Sequence, residues 1–215
     1  MAQTQTTFQH TETQTAPLSS QSAFESESMV SENQTNGTKS ASNLIQISQK
    51  VLEQPIDFIS TMSLDIYTKD SKLMPKSTIG KHIRHMLDHF RILLSNPDLS
   101  SNDVNYDLRN RKVAAETDPA AAVELIRDLE ARLPVLGDQS FDTPLKLTAT
   151  IDPNLPPEQY QSSLGRELWY CCIHAIHHYA SIKTICLEHG IQVPDSFGVA
   201  PSTLQHAEED KMRQA

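Results

Sequence analysis

Apolar residues recur at steps of three and four along four separate stretches of this chain, and a sequence patterned that way folds by burying one face of each helix against the others. The first stretch runs from Asn43 to Tyr67 through Leu44, Ile45, Ile47, Val51, Leu52, Ile56, Phe58, Ile59, Met62 and Leu64. Pro55 lies inside it, removes a backbone donor and crowds the preceding turn, which predicts a kink or two helical pieces. The second carries Ile79, Ile83, Met86, Leu87, Phe90, Leu93 and Leu94, with Ser77 or Thr78 placed to cap its start and Asn96-Pro97 to stop it. Asp118-Pro119, a cap followed by a proline at the first helical position, opens the third, whose stripe is Ala122, Val123, Ile126, Leu129 and Leu133. The fourth spans about Ser162 to His189, with Gly190 suited to a left-handed C-cap and Pro194 shortly beyond.

Between the third and fourth stretches, residues 134–158 contain Pro134, Gly137, Pro144, Pro153, Pro156 and Pro157 around one alternating patch, Leu145 to Ile151, that suits a small β-hairpin. A connection that long belongs over one end or face of the domain. The expectation is an all-α fold, a four-helix bundle over residues 43–205 with long connections. A polar tail over 206–215 follows it. Residues 1–42, rich in Gln, Thr and Ser with isolated apolar residues, read as a disordered tail that cannot bury enough surface to offset the entropy of ordering.

Charge and composition exclude several classes. Lys and Arg number 18 against 27 Asp and Glu, a formal net charge of -9, so the basic excess that drives phosphate-backbone binding is missing and nucleic acid is not an expected partner. No apolar run approaches the ~20 residues needed to cross a bilayer, and no membrane partner is expected. Met1 to Thr7 lacks a positive n-region and an apolar h-region, and no Arg precedes Arg84, which leaves the cytoplasm as the default compartment. The three cysteines, Cys171, Cys172 and Cys186, share one predicted helix and read as reduced thiols rather than a disulfide framework. A small-molecule substrate and a homodimer are both compatible with these properties.

Six of the nine histidines fall in two windows: His82, His85 and His89 on the second helix, and His174, His177 and His178 on the fourth. Steps of three and four return to the same face, so His82, His85 and His89 form one stripe, while His174 and His178 stand one turn apart on another. An i, i+4 pair can present two imidazoles to one ion, and a third from a neighbouring helix leaves positions open for water or substrate. Spacing alone leaves open which histidine of the second helix points inward. His85, between Ile83 and Met86, can sit at the edge of the buried stripe, with His82 and His89 then facing the surface. Asp88, or Glu167 one heptad before His174, suits a carboxylate that orients a bound imidazole. The plain alternative is a set of histidines on the surface or satisfied in the core, holding no ion.

The windows Ser77 to Phe90 and His174 to His178, with Val104 to Arg111 and Phe197 to Leu204, resemble an uncharacterised branch of the DinB/YfiT-like superfamily over about residues 44–205. That resemblance implies a four-helix bundle with a three-histidine site for a divalent ion, zinc, nickel or iron, matched by position at His85, His174 and His178. Members include thiol transferases, isomerases and accessory domains. The expected function is therefore divalent-metal binding, with a metal-dependent transferase (thiol S-transferase-like) or hydrolase that activates a thiol or water. Whether the chain is an enzyme stays open, the alternative being a non-catalytic bundle with a structural or vestigial ion, acting through partner binding.

Tyr106, Asp107, Arg109 and Arg111 place a phenol, a carboxylate and two guanidinium groups on the connection after the second helix. Because Arg grips carboxylate or phosphate bidentately, Tyr106, Arg109 and Arg111 are candidates for holding an anionic substrate, against the reading of a surface ion-pair network. Cys171 lies on the stripe of His174, but a buried thiol there reads as a small apolar residue. The segment Pro194 to Leu204 suits an ordered strap along the bundle.

Overall fold

The computed structural model describes residues 43–95, 101–108 and 113–214. The expected disordered tail over 1–42 and the candidate residues Arg109 and Arg111 lie outside that range. The first apolar stretch forms three helical pieces: α1 over 43–53, α2 Ile56–Ser60 and α3 Leu64–Tyr67. The break at Gln54-Pro55 is where the proline demands it, and a second break at Thr61 to Ser63 redirects the chain so that Tyr67 enters the core and its hydroxyl donates to the Ala115 carbonyl at 2.7 Å.

Two long helices organise the rest. The first, α4 Ile79–Leu94, starts at Thr78, whose hydroxyl accepts from the Lys81 N–H at 3.0 Å, and buries Ile79, Ile83, Met86, Leu87 and Phe90 on one face. The other, α6 Leu164–Glu188, starts at Ser163, which accepts from Arg166 N, and is closed by Gly190 at a φ of 73°. Between them in sequence, α5 Pro119–Arg132 is capped by Asp118 and buries Ala122, Ile126 and Leu129. Gly80 permits the close approach of α4 to the 3-10 turn Ala114–Glu116, since a Cβ there would overlap the Glu116 carbonyl oxygen. Contacts between α4 and α6 pair His82 with His178 and His85 with His174, so residue numbers rise on one helix as they fall on the other and the two run antiparallel.

The all-α expectation is corrected by a three-stranded mixed sheet, ordered β1 (Asp103–Asn105), β2 (Pro144–Ala149), β3 (Glu158–Ser163). β1 runs parallel to β2, pairing Val104 with Leu147, and β2 runs antiparallel to β3, pairing Leu145 with Ser162 and Thr148 with Gln159. Leu145 and Val104 enter the core while Lys146 faces solvent, the alternation of a sheet wet on one side. The physical reason for the miss is that β1 is three residues long in a polar stretch with no alternating pattern, and its partner lies some forty positions away. Pairing of that kind is decided by tertiary contact rather than by local periodicity. β3 passes without a loop into α6, which fixes the sheet at the N-terminal end of the histidine helix.

After α6 the chain lays Phe197 into the core, edge-on to Phe58 at 5.0 Å and stacked on Tyr179 at 4.7 Å. Gly198, at a φ of 72°, is required there because a side chain would collide with the backbone of Ala180. α7 Pro201–Gln214 follows with no buried residue. Among the described residues no helix is long and apolar enough to cross a membrane.

Candidate functional site

The antiparallel contact of α4 and α6 sets His82 and His85 of one helix against His178 and His174 of the other. His85, His174 and His178 converge so that one ring nitrogen from each lies within 4.8 Å of the others. His85 Nε2 and His174 Nε2 stand 3.1 Å apart. Nitrogens that each sit about 2.0–2.1 Å from a shared ion can be at most ~4 Å apart, so the His85–His174 pair already has the spacing of two ligands on one cation. All three rings are half-buried, with His178 centred 4.6 Å from both His85 and His174.

Protonation favours the same use. Burial first, then the neighbouring His174, His85, His82 and His177, push the His178 pKa down to about 2. A neutral imidazole keeps a lone pair free, which is the form a metal ion takes up. His82 is lowered too, by burial first and then by His177. His82 Nδ1 and His178 Nδ1 lie 2.8 Å apart, so one donates to the other and the two rings fix each other's tautomer. His177 is exposed.

His82 and His89 do not face the surface. His82 is half-buried against His178, and His89 is buried, donates from Nδ1 to the His85 carbonyl at 3.0 Å, and stacks on Tyr106 with ring centres 4.7 Å apart. Steps of three and four place all three α4 histidines on one broad face, and only the position of α6 shows how much of that face is covered.

The two carboxylates singled out from the sequence sit in different surroundings. Asp88 is gripped by Arg84 at 3.0 Å and Arg91 at 3.2 Å, an ion-pair group that also ties α4 to Glu116 through Arg84. Glu167 is fully buried and takes a hydrogen bond from the Tyr106 hydroxyl at 2.9 Å, one from Arg166 at 2.8 Å, and one from the Ser162 hydroxyl. Three donors on one carboxylate are what make burial of the charge tolerable. Tyr106 is held far above its ordinary pKa by burial first, then by Cys171 and Glu167, so it stays a donor. Cys171 is likewise kept a thiol by burial.

A cavity of about 350 Å³ opens beside His85 and His174, walled by the rings of His89, Tyr106 and Tyr170 and by residues of β2. Arg166 reaches it, with its guanidinium 5.0 Å above the Tyr170 ring. Arg166, Tyr170, His174 and His178 follow one another at steps of four along α6. That row is visible in the spacing, whereas the guanidinium groups expected to hold a substrate, Arg109 and Arg111, belong to the connection after α4.

No protein-family model matches the chain. A curated protein is similar to it, however. The chain is 45% identical over 159 residues to FK506-binding protein 5 of Rhizopus delemar, a match that covers 73% of this chain. It spans only 36% of that relative's length. The relation overturns the resemblance to the DinB/YfiT-like superfamily, because a continuous similarity over most of the chain outweighs a few short windows around histidines. The expected metal-dependent transferase or hydrolase of that superfamily falls with it, as does the accompanying picture of a non-catalytic DinB-like bundle, since neither matches a relative carrying that name. What remains of the histidine windows is their geometry.

The depressed histidine has a consequence for stability. The folded pKa of His178 lies below the value of about 6.5 that it has when unfolded. Below that pH the unfolded chain therefore binds the extra proton and the folded chain does not. The stability is whole above pH ~6.5 and drains away as pH falls toward the folded pKa. Thermal melts of metal-free protein should show Tm falling from pH 7 to pH 5, with a shallower fall in His178→Gln. An unchanged slope in that variant would remove His178 as the source.

Proposed function

We propose that this chain holds one divalent cation, zinc, nickel or iron, on His85, His174 and His178. The observation that supports this most is the convergence of three imidazole nitrogens from two helices within 4.8 Å. Three protein ligands leave coordination positions open, and here the neighbouring space is the cavity rather than packed side chains. An ion held there would offer a donor atom of some ligand a Lewis-acidic position. The chain's own residues supply its seating: His82 orients His178, and His89, hydrogen-bonded to the His85 carbonyl, stacks Tyr106 against the cavity wall. No reaction is assigned to it. A cytoplasmic setting belongs to the same proposal, supported by three cysteines that are free and buried.

A second reading takes its ligand from the relative's name, which says that the relative binds FK506. Its support in this chain is an apolar groove of about 940 Å³ between α1, α6 and the segment after it, with Ile47, Val51, Trp169, Ile173 and Phe197 among its walls. A space of that size and character suits an organic ligand.

Zinc titration of untagged protein against a competing chelator should give one equivalent bound, with affinity at least 100-fold lower in His174→Ala at unchanged helical circular dichroism. Wild-type affinity in that variant would contradict the cation reading. Trp169, the single tryptophan, lines the groove, so its fluorescence should change on adding FK506. An emission spectrum indifferent to FK506 at saturating concentration would remove the second reading.

A further inference from the structure

The cavity beside the histidines has a composition of its own. Its walls are mainly rings and the Leu147 side chain, but Arg166 stands at its edge with a guanidinium held in place from two sides, by the Tyr170 ring at 5.0 Å and by the Glu167 carboxylate at 2.8 Å. A guanidinium carries five N–H donors. Among the described residues the one side-chain hydrogen bond from Arg166 goes to Glu167 from Nη1, which leaves Nε and Nη2 for a ligand. Being fixed beforehand, the fork loses little freedom on gripping an anion. Asp107, also in the lining, has one carboxylate oxygen, Oδ2, committed to the Thr150 N–H at 2.9 Å, and Thr148 is a further polar residue of the lining.

The local charge decides the sign of the ligand. Arg166 and Glu167 cancel each other, Asp107 adds one negative charge, and a divalent ion on the triad leaves the site with a net charge of plus one. A cavity of about 350 Å³ is at the small end of the range that takes organic molecules, so the ligand has a short carbon skeleton. We propose that this cavity binds a small organic carboxylate, gripped at one end by Arg166 and offering its other polar end to the cation held by His85, His174 and His178. The proposal rests on the cation reading given above. It assigns Arg166 and the cavity a ligand class and requires no chemical change in that ligand.

Calorimetric titration of the zinc-loaded full chain with succinate tests it, with the neutral succinamide as control and bound zinc measured after each run. Succinate should bind and succinamide should not. Arg166→Gln should weaken succinate at least tenfold while zinc affinity and the circular dichroism stay at wild-type values. Arg166→Lys, which keeps the charge but not the fork, should fall between the two. If zinc binds but succinate does not, or if succinamide or Arg166→Gln matches the wild-type result with succinate, the carboxylate site is wrong and the cation reading stands. If the wild-type chain takes up no zinc, the cation reading fails and this proposal falls with it.

Discussion

Everything at the candidate site depends on the antiparallel packing of α4 against α6. Neither helix carries the site alone. Ile83, Met86, Leu87 and Phe90 on α4 and Leu168, Ala175, Tyr179 and Ile182 on α6 are buried, and it is their burial that holds the two helices together. A fully buried Leu, Ile, Met or Phe contributes roughly 1.5–3 kcal/mol relative to exposure, so several of them outweigh the cost of desolvating a row of imidazoles beside them. The histidines ride on the flank of this seam, where burial lowers the pKa of His82 and His178 while His85, His89 and His174 line the cavity.

The sheet closes what the helices begin. β3 enters α6 without a loop, so Ser162 of the last strand residues and Glu167 of the first helical turn are brought into hydrogen bonding, and Tyr106, just after β1, adds a third element to the same carboxylate. Glu167 thereby joins strand, connection and helix at one buried point. Because its three donors arrive from different parts of the chain, the carboxylate fixes their relative positions, and the cavity wall is as rigid as that junction. Arg166 takes its place in the wall from the same contact.

Much of this was legible in the sequence, and the failures have physical causes. Stripes at steps of three and four marked the apolar faces of α4, α5 and α6, and Thr78, Asp118 and Gly190 stand at the helix ends where capping chemistry places them. The row containing His174 and His178 was readable from spacing, whereas the inward orientation of His82 and His89 was not, since it depends on how α6 lies across α4. β1 escaped because a three-residue strand has no period to detect and its parallel pairing spans a long connection. The resemblance to a superfamily failed for a related reason. Histidines at helical spacing on facing helices are a local solution, and short windows around them carry less information on ancestry than a match at 45% identity over 159 residues to the Rhizopus delemar protein.

X-ray absorption at the zinc edge, recorded on protein loaded with one equivalent, tests the account most directly. It reads the donor atoms themselves and is indifferent to what the bound ion does. Three imidazoles at about 2.0–2.1 Å, with no sulfur and one or more oxygen donors, are the result the packing of α4 on α6 predicts. A shell containing sulfur at about 2.3 Å, or one with fewer than three imidazoles, would contradict it.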